Sequence, residues 1–375
     1  MDKIGTSGSA PAVEGLEGSG LDADVRGAEL RLTLARGAKL NAIDSALRTG
    51  FSRTLHAFAR DPMIYALVLR SESDRAFSVG GDVRELSRLA EVSTGAAARW
   101  IADECALIWQ LDSYPKPMVS LINGVVMGTG AGLALVGTHQ VAGENYGFQM
   151  PETAIGWFPD VGFAHAFARM PHEIGAYLAL TGRRIGAADA YRLGLVSHCI
   201  PSSRFDEIEN ALADAQPLDP ILDDRHQDPG PAPIDHYAGI IEQCFSADTA
   251  AGIVDRLSSC SLEREWCEAV RRELLQRSPL ALEVSLRHIR QARDLDLRQT
   301  LIVDHRIGCR LAATHDFKAG VRSLLVERTG VPQWNPACLD EVTPAMIGDM
   351  LAPMRADEAL DLPTRQEMQA LVAIT

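Results

Sequence analysis

Apolar runs in the first half of the chain predict a series of strands. Leu30, Leu32 and Leu34 alternate with polar residues, a spacing that indicates a strand with one buried face. Residues 64–70 predict a second strand. Residues 117–122 predict a third, and because that run is almost wholly apolar we expect it to be buried on both faces.

Helical periodicity separates these strands. Asp44 is a suitable N-cap for a helix whose apolar residues, such as Phe51, recur about every four positions. A second pattern of this kind covers residues 94–111. Strands that alternate with helices over about residues 28–205 predict an α/β core, and the pattern beyond that core becomes helical.

Composition along the chain predicts five segments. Gly, Ser and Ala dominate residues 1–24, which we expect to be a flexible tail. Residues 25–205 are the expected core, and residues 206–236, rich in Pro and Asp, are expected to be a linker or surface loop. Residues 237–345 are expected to be a helical C-terminal region. Residues 346–375 are weakly patterned and are expected to be a tail that could carry one helix.

The charge balance of the chain is strongly acidic. Lys and Arg number 36 and Asp and Glu number 50, which gives a formal net charge of −14. Such a surface repels polyanions, so we expect neither nucleic acid nor membrane as a partner. Residues 117–143 lack charged side chains, but their glycines disfavour a membrane helix. The seven cysteines are scattered and the first residues lack a leader pattern, so we expect reduced thiols and a cytoplasmic protein.

Two glycine-rich turns could bind a ligand through backbone amides. In RAFSVGGDVREL, Gly80 and Gly81 precede Asp82, an N-cap that would leave their amides free near a helix start. In NGVVMGTGAG, Gly128 lies between a buried strand and a helix, where exposed amides can approach a ligand closely. The second turn fails the G-x-G-x-x-G dinucleotide spacing because its last position is Leu133. On its own, the first turn could equally be an ordinary loop.

Two carboxyl groups lie close together in the segment MPETAIGWFPDVG. Glu152 and Asp160 each directly follow a proline and have apolar neighbours such as Trp157. Carboxyl groups in apolar surroundings often have altered pKa values and act as acids, bases or nucleophiles. Solvated loop acids are the alternative for this segment alone. The chain has no H-x-x-x-H, H-E-x-x-H or G-x-S-x-G pattern, so neither a metal site nor a serine hydrolase is expected.

The order and spacing of these segments resemble the crotonase (enoyl-CoA hydratase/isomerase) superfamily, and within it the branch of 3-hydroxyisobutyryl-CoA hydrolases. The matching segments are RAFSVGGDVREL, KPMVSLINGVVMGTGAGLAL and FQMPETAIGWFPDVG, and the stretch beginning DHRIGCRLAATHDF is similar to that branch's C-terminal region. The resemblance covers about residues 28–345. It implies a crotonase-type spiral of ββα units, a helical C-terminal region and an acyl-CoA thioester as substrate.

The resemblance also implies a site for the thioester oxygen. An oxyanion hole of two backbone N–H groups falls on Gly81 and Thr129, with Gly80 and Gly128 in the same substrate-binding turns. Thr129 departs from the family, which usually has glycine at this position. The added Cβ would lie near the thioester, and it puts the size of the substrate in question.

The acidic residues distinguish the reactions of the family. Hydratases use two glutamates, one matching Glu152 and one at position 132, which is Gly132 here. The hydrolase branch uses Glu152 together with Asp160, and Glu104 matches a further acid that contacts the substrate. The resemblance therefore implies hydrolysis of a short 3-hydroxyacyl-CoA, such as 3-hydroxyisobutyryl-CoA, to CoA and the free hydroxy acid. The glutamate either attacks the thioester carbon or activates water as a general base.

The resemblance implies no cofactor, because coenzyme A is part of the substrate, and it is compatible with a homo-oligomer. Two alternatives stay open at this point. The first is another crotonase-type acyl-CoA reaction, such as enoyl-CoA hydration or isomerisation. The second is a non-catalytic crotonase-fold protein that serves as a scaffold.

Overall fold

Two sheets of mainly parallel strands form the centre of the fold. The structure, a computed structural model, describes residues 16–328, 330 and 332–374. The strands of the larger sheet run in the order β1-β2-β3-β5-β7-β9 and those of the smaller in the order β4-β6-β8. Strand β1 pairs antiparallel with β2, and the other strand pairs are parallel. The strands are β1 (Leu21–Arg26), β2 (Glu29–Leu34), β3 (Ala66–Ser71), β4 (Ala76–Ser78), β5 (Met118–Ile122), β6 (Val125–Met127), β7 (His139–Ala142), β8 (Gly147–Gln149) and β9 (His198–Cys199).

Successive stretches of chain add one strand to each sheet and then a helix. The helices are α1 (Ser45–Phe58), α2 (Val83–Val92), α3 (Thr94–Asp112), α4 (Thr129–Leu135), α5 (Phe163–Phe167), α6 (Ile174–Thr181), α7 (Ala187–Arg192), α8 (Phe205–Ala213), α9 (Leu218–Asp223), α10 (Ala238–Phe245), α11 (Ala250–Ser259), α12 (Arg264–Leu274), α13 (Pro279–Gln291), α14 (Leu297–Leu311), α15 (His315–Gly320), α16 (Pro344–Leu351) and α17 (Arg365–Ile374). The units β3-β4-α2, β5-β6-α4 and β7-β8-α5 repeat one pattern. The predicted ββα spiral and α/β class are thereby confirmed.

Strand β5 is buried on both faces, as its apolar run predicts. Met118 and Ile122 join the main core, which includes the apolar faces of α1 and α3. Val119 and Leu121 join a second core on the opposite face of the larger sheet. The central strand therefore has helices packed on both of its faces.

The prediction of a linker at residues 206–236 is wrong for its first half, which forms α8 and α9. Ile208, Leu212 and Leu222 of these helices are fully buried against the larger sheet. The high proline content conceals the helical spacing of these residues. Pro220 is the third residue of α9, where the missing amide has no partner within the helix to lose.

The two chain ends also differ from the expected tails. Residues 21–24 belong to β1, which pairs with β2 through a hairpin at Gly27, so the flexible-tail prediction is wrong there. Residues 1–15 lie outside the described residues. Near the other end, Leu362 is buried, and the Trp109 indole donates a hydrogen bond to the carbonyl of Pro363 at 2.7 Å. The segment before α17 is therefore attached to α3.

The helical C-terminal region packs against the spiral. Helix α13 is buried along almost its whole length, and α14 packs lengthwise against α3. A π-helical turn, Val321–Val326, follows α15 and approaches α2. Among the helices in the described part of the chain, none has the length and apolar character that crossing a membrane requires.

Candidate active site

A cavity of about 270 Å³ lies where the turns after β4 and β6 meet the MPET segment. All seven site residues predicted from the sequence line it. Its lining also includes the aromatic residues Trp100 and Trp157, and Leu324 and Leu325 of the π-helical turn. The seven residues are Gly80, Gly81, Glu104, Gly128, Thr129, Glu152 and Asp160.

The two glycine-rich turns lie side by side because β4 and β6 are parallel neighbours. Gly80 has φ +91° and Gly128 has φ +51°, so both adopt backbone conformations that favour glycine. A Cβ on Gly80 would lie only 3.0 Å from the carbonyl oxygen of Met127 and 3.3 Å from the amide nitrogen of Thr129. Glycine at this position therefore allows the turns to touch.

The amides predicted to form the oxyanion hole are available. Neither the Gly81 nor the Thr129 N–H donates a hydrogen bond to a residue within the described ranges. Thr129 is the first residue of α4, and the left-handed conformation of the turn falls on Gly128 instead. The threonine therefore fits without backbone strain, and it lines the cavity.

Glu152 begins a short 3-10 turn and places its carboxyl group inside the cavity. The residue is 8% exposed, and its Oε2 has no hydrogen-bond partner among the described residues. Its Oε1 would lie 3.1 Å from a Cβ on Gly128, so the acid lies against the second turn. Burial raises the pKa of Glu152 to about 8, with a smaller contribution from the nearby charge of Glu104.

Asp160 shares the cavity with Glu152. The Trp157 indole N–H donates to its Oδ2 at 2.8 Å, which fixes the direction of the carboxyl group. Burial raises the pKa of Asp160 well above its usual value, and the charges of Glu104 and Glu152 raise it further. Carboxyl groups this close cannot all ionise without mutual repulsion, so their titrations depend on one another.

Glu104 is tied to Thr129 and lies near an arginine that the sequence did not single out. The Thr129 hydroxyl donates to Glu104 Oε1 at 2.5 Å, and Arg48 Nη1 lies 3.9 Å from the same oxygen. The Arg48 guanidinium lies 3.9 Å from the centre of the Trp100 ring. Arg48 is buried, three positions before Phe51 on the apolar face of α1. A charge on a buried helix face is the signal that could have identified it.

Gly132, the position of the second hydratase glutamate, has no room for a side chain. A Cβ there would lie 2.9 Å from Ile108 Cδ1 and 3.0 Å from Val161 Cβ. Both neighbours belong to the packed core. An acid at this position would need the core to rearrange.

A larger, basic cavity of about 1120 Å³ adjoins the first one. The two share Val79, Gly81, Val83, Met127 and Leu325. The Lys and Arg side chains in its lining come from the turn before α1, from α2 and from the region of α15 onward. They are Lys39, Arg84, Arg88, Lys318, Arg322 and Arg328.

No cluster of three or more His, Cys, Asp or Glu side chains in the described ranges is arranged to hold a metal ion. The prediction that no cofactor is needed stays a prediction. So do the cytoplasmic location and the homo-oligomer.

Several known proteins are similar to this chain. A hydrolase from Arabidopsis thaliana, "3-hydroxyisobutyryl-CoA hydrolase 1", is 33% identical over 91% of this chain and 93% of its own. The Homo sapiens protein "3-hydroxyisobutyryl-CoA hydrolase, mitochondrial" is 31% identical over 83% of each chain. The Neurospora crassa "small ribosomal subunit protein mS47" is 30% identical over 83% of this chain and 66% of its own.

The fold is also found in solved structures. A carnitinyl-CoA dehydratase from Mycobacterium thermoresistibile matches with a TM-score of 0.86 and 32% identity, covering 92% of this chain and 99% of its own. A family profile described as enoyl-CoA hydratase/isomerase matches residues 30–351. The chain therefore belongs to the enoyl-CoA hydratase/isomerase family, the crotonase superfamily that its motifs resemble.

Proposed function

We propose that the protein hydrolyses a short 3-hydroxyacyl-CoA thioester, such as 3-hydroxyisobutyryl-CoA. The observation that carries the proposal is the buried Glu152 carboxyl group, which lies in one cavity with Asp160 and the amides of Gly81 and Thr129. Among the described residues, neither its Oε2 nor either amide has a hydrogen-bond partner. The hydrolases among the relatives support the same reaction class. An acid, a second acid and two N–H donors are the groups that thioester hydrolysis needs.

The amides bind the thioester carbonyl oxygen. As a nucleophile adds to the carbonyl carbon, negative charge develops on this oxygen, and the N–H groups of Gly81 and Thr129 stabilise it. The C–S bond then breaks, and the sulfur leaves as the CoA thiolate and takes up a proton. Water supplies the oxygen of the new carboxylic acid, so the net products are CoA and the hydroxy acid.

Glu152 drives the addition in either of two ways. As a nucleophile, its carboxylate forms an anhydride with the acyl group, which water then hydrolyses. As a general base, it removes a proton from water, and the water attacks. Both require the ionised carboxylate, and its burial makes that carboxylate more basic than an exposed glutamate.

Asp160 orients the acyl group. Its carboxyl group accepts a hydrogen bond from the 3-hydroxyl of the substrate, while the Trp157 indole N–H donates to Oδ2 of the same carboxyl group. A site built to pair a buried hydroxyl group discriminates against the analogue without it, because that analogue leaves the site's polar group unpaired. This discrimination is the reason we propose a 3-hydroxyacyl group as the substrate's acyl group.

The basic cavity accommodates the rest of the substrate. Coenzyme A carries phosphate groups. Six Lys and Arg side chains outnumber the three acids Asp82, Glu91 and Glu327 in the lining of this cavity, which shares five lining residues with the acyl cavity. Local positive charge attracts phosphate even on a chain whose net charge is −14.

A non-catalytic role is the second candidate, and the similarity to a ribosomal subunit protein favours it. Enoyl-CoA hydration is less well supported, because Gly132 leaves no space for a second glutamate. A scaffold protein would release no thiol from any thioester. A hydratase would consume enoyl-CoA without releasing thiol.

The test is a panel of CoA thioesters assayed for free thiol. We expect wild type to release thiol from 3-hydroxyisobutyryl-CoA or 3-hydroxypropionyl-CoA. In Glu152→Gln we expect kcat to fall by about a thousandfold or more, since the acid acts in the bond-forming step. The matched control is Glu268→Gln, which changes a surface acid paired with Arg271 and should behave as wild type. Thiol release by Glu152→Gln at the wild-type rate would refute the proposal.

A further inference from the structure

A buried aspartate outside the cavity holds the segment that carries Asp160. Asp304 of α14 is 1% exposed, and both of its carboxyl oxygens accept hydrogen bonds. The Gly162 amide donates to Oδ2 at 2.7 Å, and His288 Nε2 of α13 donates to Oδ1 at 2.6 Å. The aspartate therefore joins the segment to two helices of the C-terminal region.

His288 contacts the other end of the same segment. Its ring lies edge-on to Phe158, with the ring centres 6.0 Å apart. A carboxylate can only accept hydrogen bonds, so the hydrogen between the two side chains is on Nε2 of the histidine. Residues 158–162 are thus held at both ends by one buried Asp–His pair.

Within residues 158–162, the backbone has an unfavourable conformation. Val161 has φ +50°, although it is β-branched, and Gly162 has φ +84°. A residue held in such a conformation persists only when its surroundings fix it, and strain of this kind is common at functional sites. The Asp304 hydrogen bond fixes the peptide that follows Val161, directly after the turn that places Asp160 in the cavity.

We propose that Asp304 is a positioning residue, supported by His288, which sets the placement of the Asp160 carboxyl group for the 3-hydroxyl of the substrate. This inference rests on the proposed function. Asp304 does not line the acyl cavity itself and acts through the backbone of residues 161 and 162. The negative charge of Asp304 is also a minor cause of the raised pKa of Asp160, after burial and the charges of Glu104 and Glu152.

The experiment measures discrimination for the hydroxyl group. The readout is the ratio of kcat/KM for 3-hydroxyisobutyryl-CoA to kcat/KM for isobutyryl-CoA, in wild type, Asp160→Ala, Asp304→Ala and the double variant. We expect Asp304→Ala to lower the ratio by roughly tenfold or more, because a displaced acid no longer pairs with the hydroxyl. The double variant should have the same ratio as Asp160→Ala, because Asp304 acts only through that acid.

The control variant is Asp189→Ala. Asp189 is a buried aspartate of α7 that accepts a hydrogen bond from the Ile234 amide at 2.8 Å, and it lines neither cavity. Its replacement should lower the unfolding midpoint and leave the ratio at the wild-type value. A ratio that falls in this control as much as in Asp304→Ala would overturn the inference.

Other outcomes are equally decisive. A wild-type ratio in Asp304→Ala, or a double variant whose loss is the product of the two single losses, overturns the positioning role. If Asp304→Ala does not fold, the isosteric variant Asp304→Asn tests the positioning role in its place. It should lower the ratio by a smaller factor, since a neutral amide oxygen is the weaker acceptor for Gly162, and an unchanged ratio refutes the inference. If wild type itself releases no thiol or shows a ratio near one, the proposed function has failed instead.

Discussion

At the scale of single residues, Glu152 combines two opposing requirements. Its carboxyl group is buried in one cavity with Gly81 and Thr129, whose amides we propose as the oxyanion hole, and the same burial raises its pKa to about 8. At neutral pH the free protein therefore carries this acid mainly in its protonated form. The proposed reaction needs the ionised form. Burial therefore lowers the fraction of protein that carries this form at neutral pH, and it makes the carboxylate a stronger base.

The pH dependence of kcat/KM should report this acid. We expect kcat/KM for thiol release to rise about tenfold per pH unit below pH 7 and to level off above about pH 8, because only ionised Glu152 reacts. The measurement is a profile from pH 5.5 to 9, corrected for spontaneous thioester hydrolysis. A flat profile between pH 6 and 8 would show that another group, or none, limits the step.

Thr129 lines the cavity that we propose holds the acyl group, so its replacement should change the preference for substrate size. Thr129→Gly removes a side chain from the cavity lining, so we expect kcat/KM for 3-hydroxyisobutyryl-CoA relative to 3-hydroxypropionyl-CoA to rise by roughly tenfold, the usual effect of one methyl group. Thr129→Ser is the matched control because it keeps the hydroxyl that donates to Glu104. An unchanged ratio in Thr129→Gly would mean that the threonine does not contact the acyl group.

At the scale of elements, features that depend on adjacent residues could be predicted from the sequence, and contacts between residues distant in sequence could not. The turns at Gly80 and Gly128 could be predicted because a glycine-rich turn between a strand and a helix is recognisable from a few adjacent residues. The contacts of Arg48 with Glu104 and of Asp304 with Gly162 could not be predicted, since each joins residues that are distant in sequence. The burial of Arg48 on the apolar face of α1 marks that residue but not its partner. Helices α8 and α9 were missed because prolines and aspartates outnumber the few buried leucines and isoleucines that carry the helical pattern.

The burial of α9 can be tested by a core truncation. Leu222 is fully buried against the larger sheet, so we expect Leu222→Ala to lower the free energy of unfolding by about 2–5 kcal/mol. Leu275→Ala, at a residue that is 51% exposed, is the control and should cost far less. Urea unfolding of the two variants measures the difference. Equal, small losses of unfolding free energy in the two variants would indicate that residues 206–236 form a linker and not packed helices.

At the scale of the whole molecule, buried acids make stability depend on pH. Burial raises the pKa of Glu29 in β2 to about 7 and that of Glu152 to about 8, each from 4.5. The folded state therefore holds protons that the unfolded chain releases above pH 4.5. The stabilisation from these protonated acids is complete below that pH and is lost as the pH rises through 7 and 8.

Replacing both acids should remove their share of this pH dependence. We expect the variant Glu29→Gln/Glu152→Gln to gain free energy of unfolding relative to wild type as the pH rises from 4.5 to 8, reaching about 2 kcal/mol or more at pH 8. Glutamine never ionises, so its burial has the same cost at each pH. Thermal unfolding midpoints at pH 5, 6.5 and 8 measure the trend, and a constant difference between the proteins would contradict it.

The edges of the larger sheet limit how copies of this chain can associate. One edge is β9, which is only two residues long. The other is β1, where Asp22, Asp24 and Arg26 place charges along the strand. A very short edge and a charged one are poor templates for an added strand from a second molecule. Self-assembly of this protein is thus expected to proceed through contacts between helices, not by extending a sheet from one copy into the next.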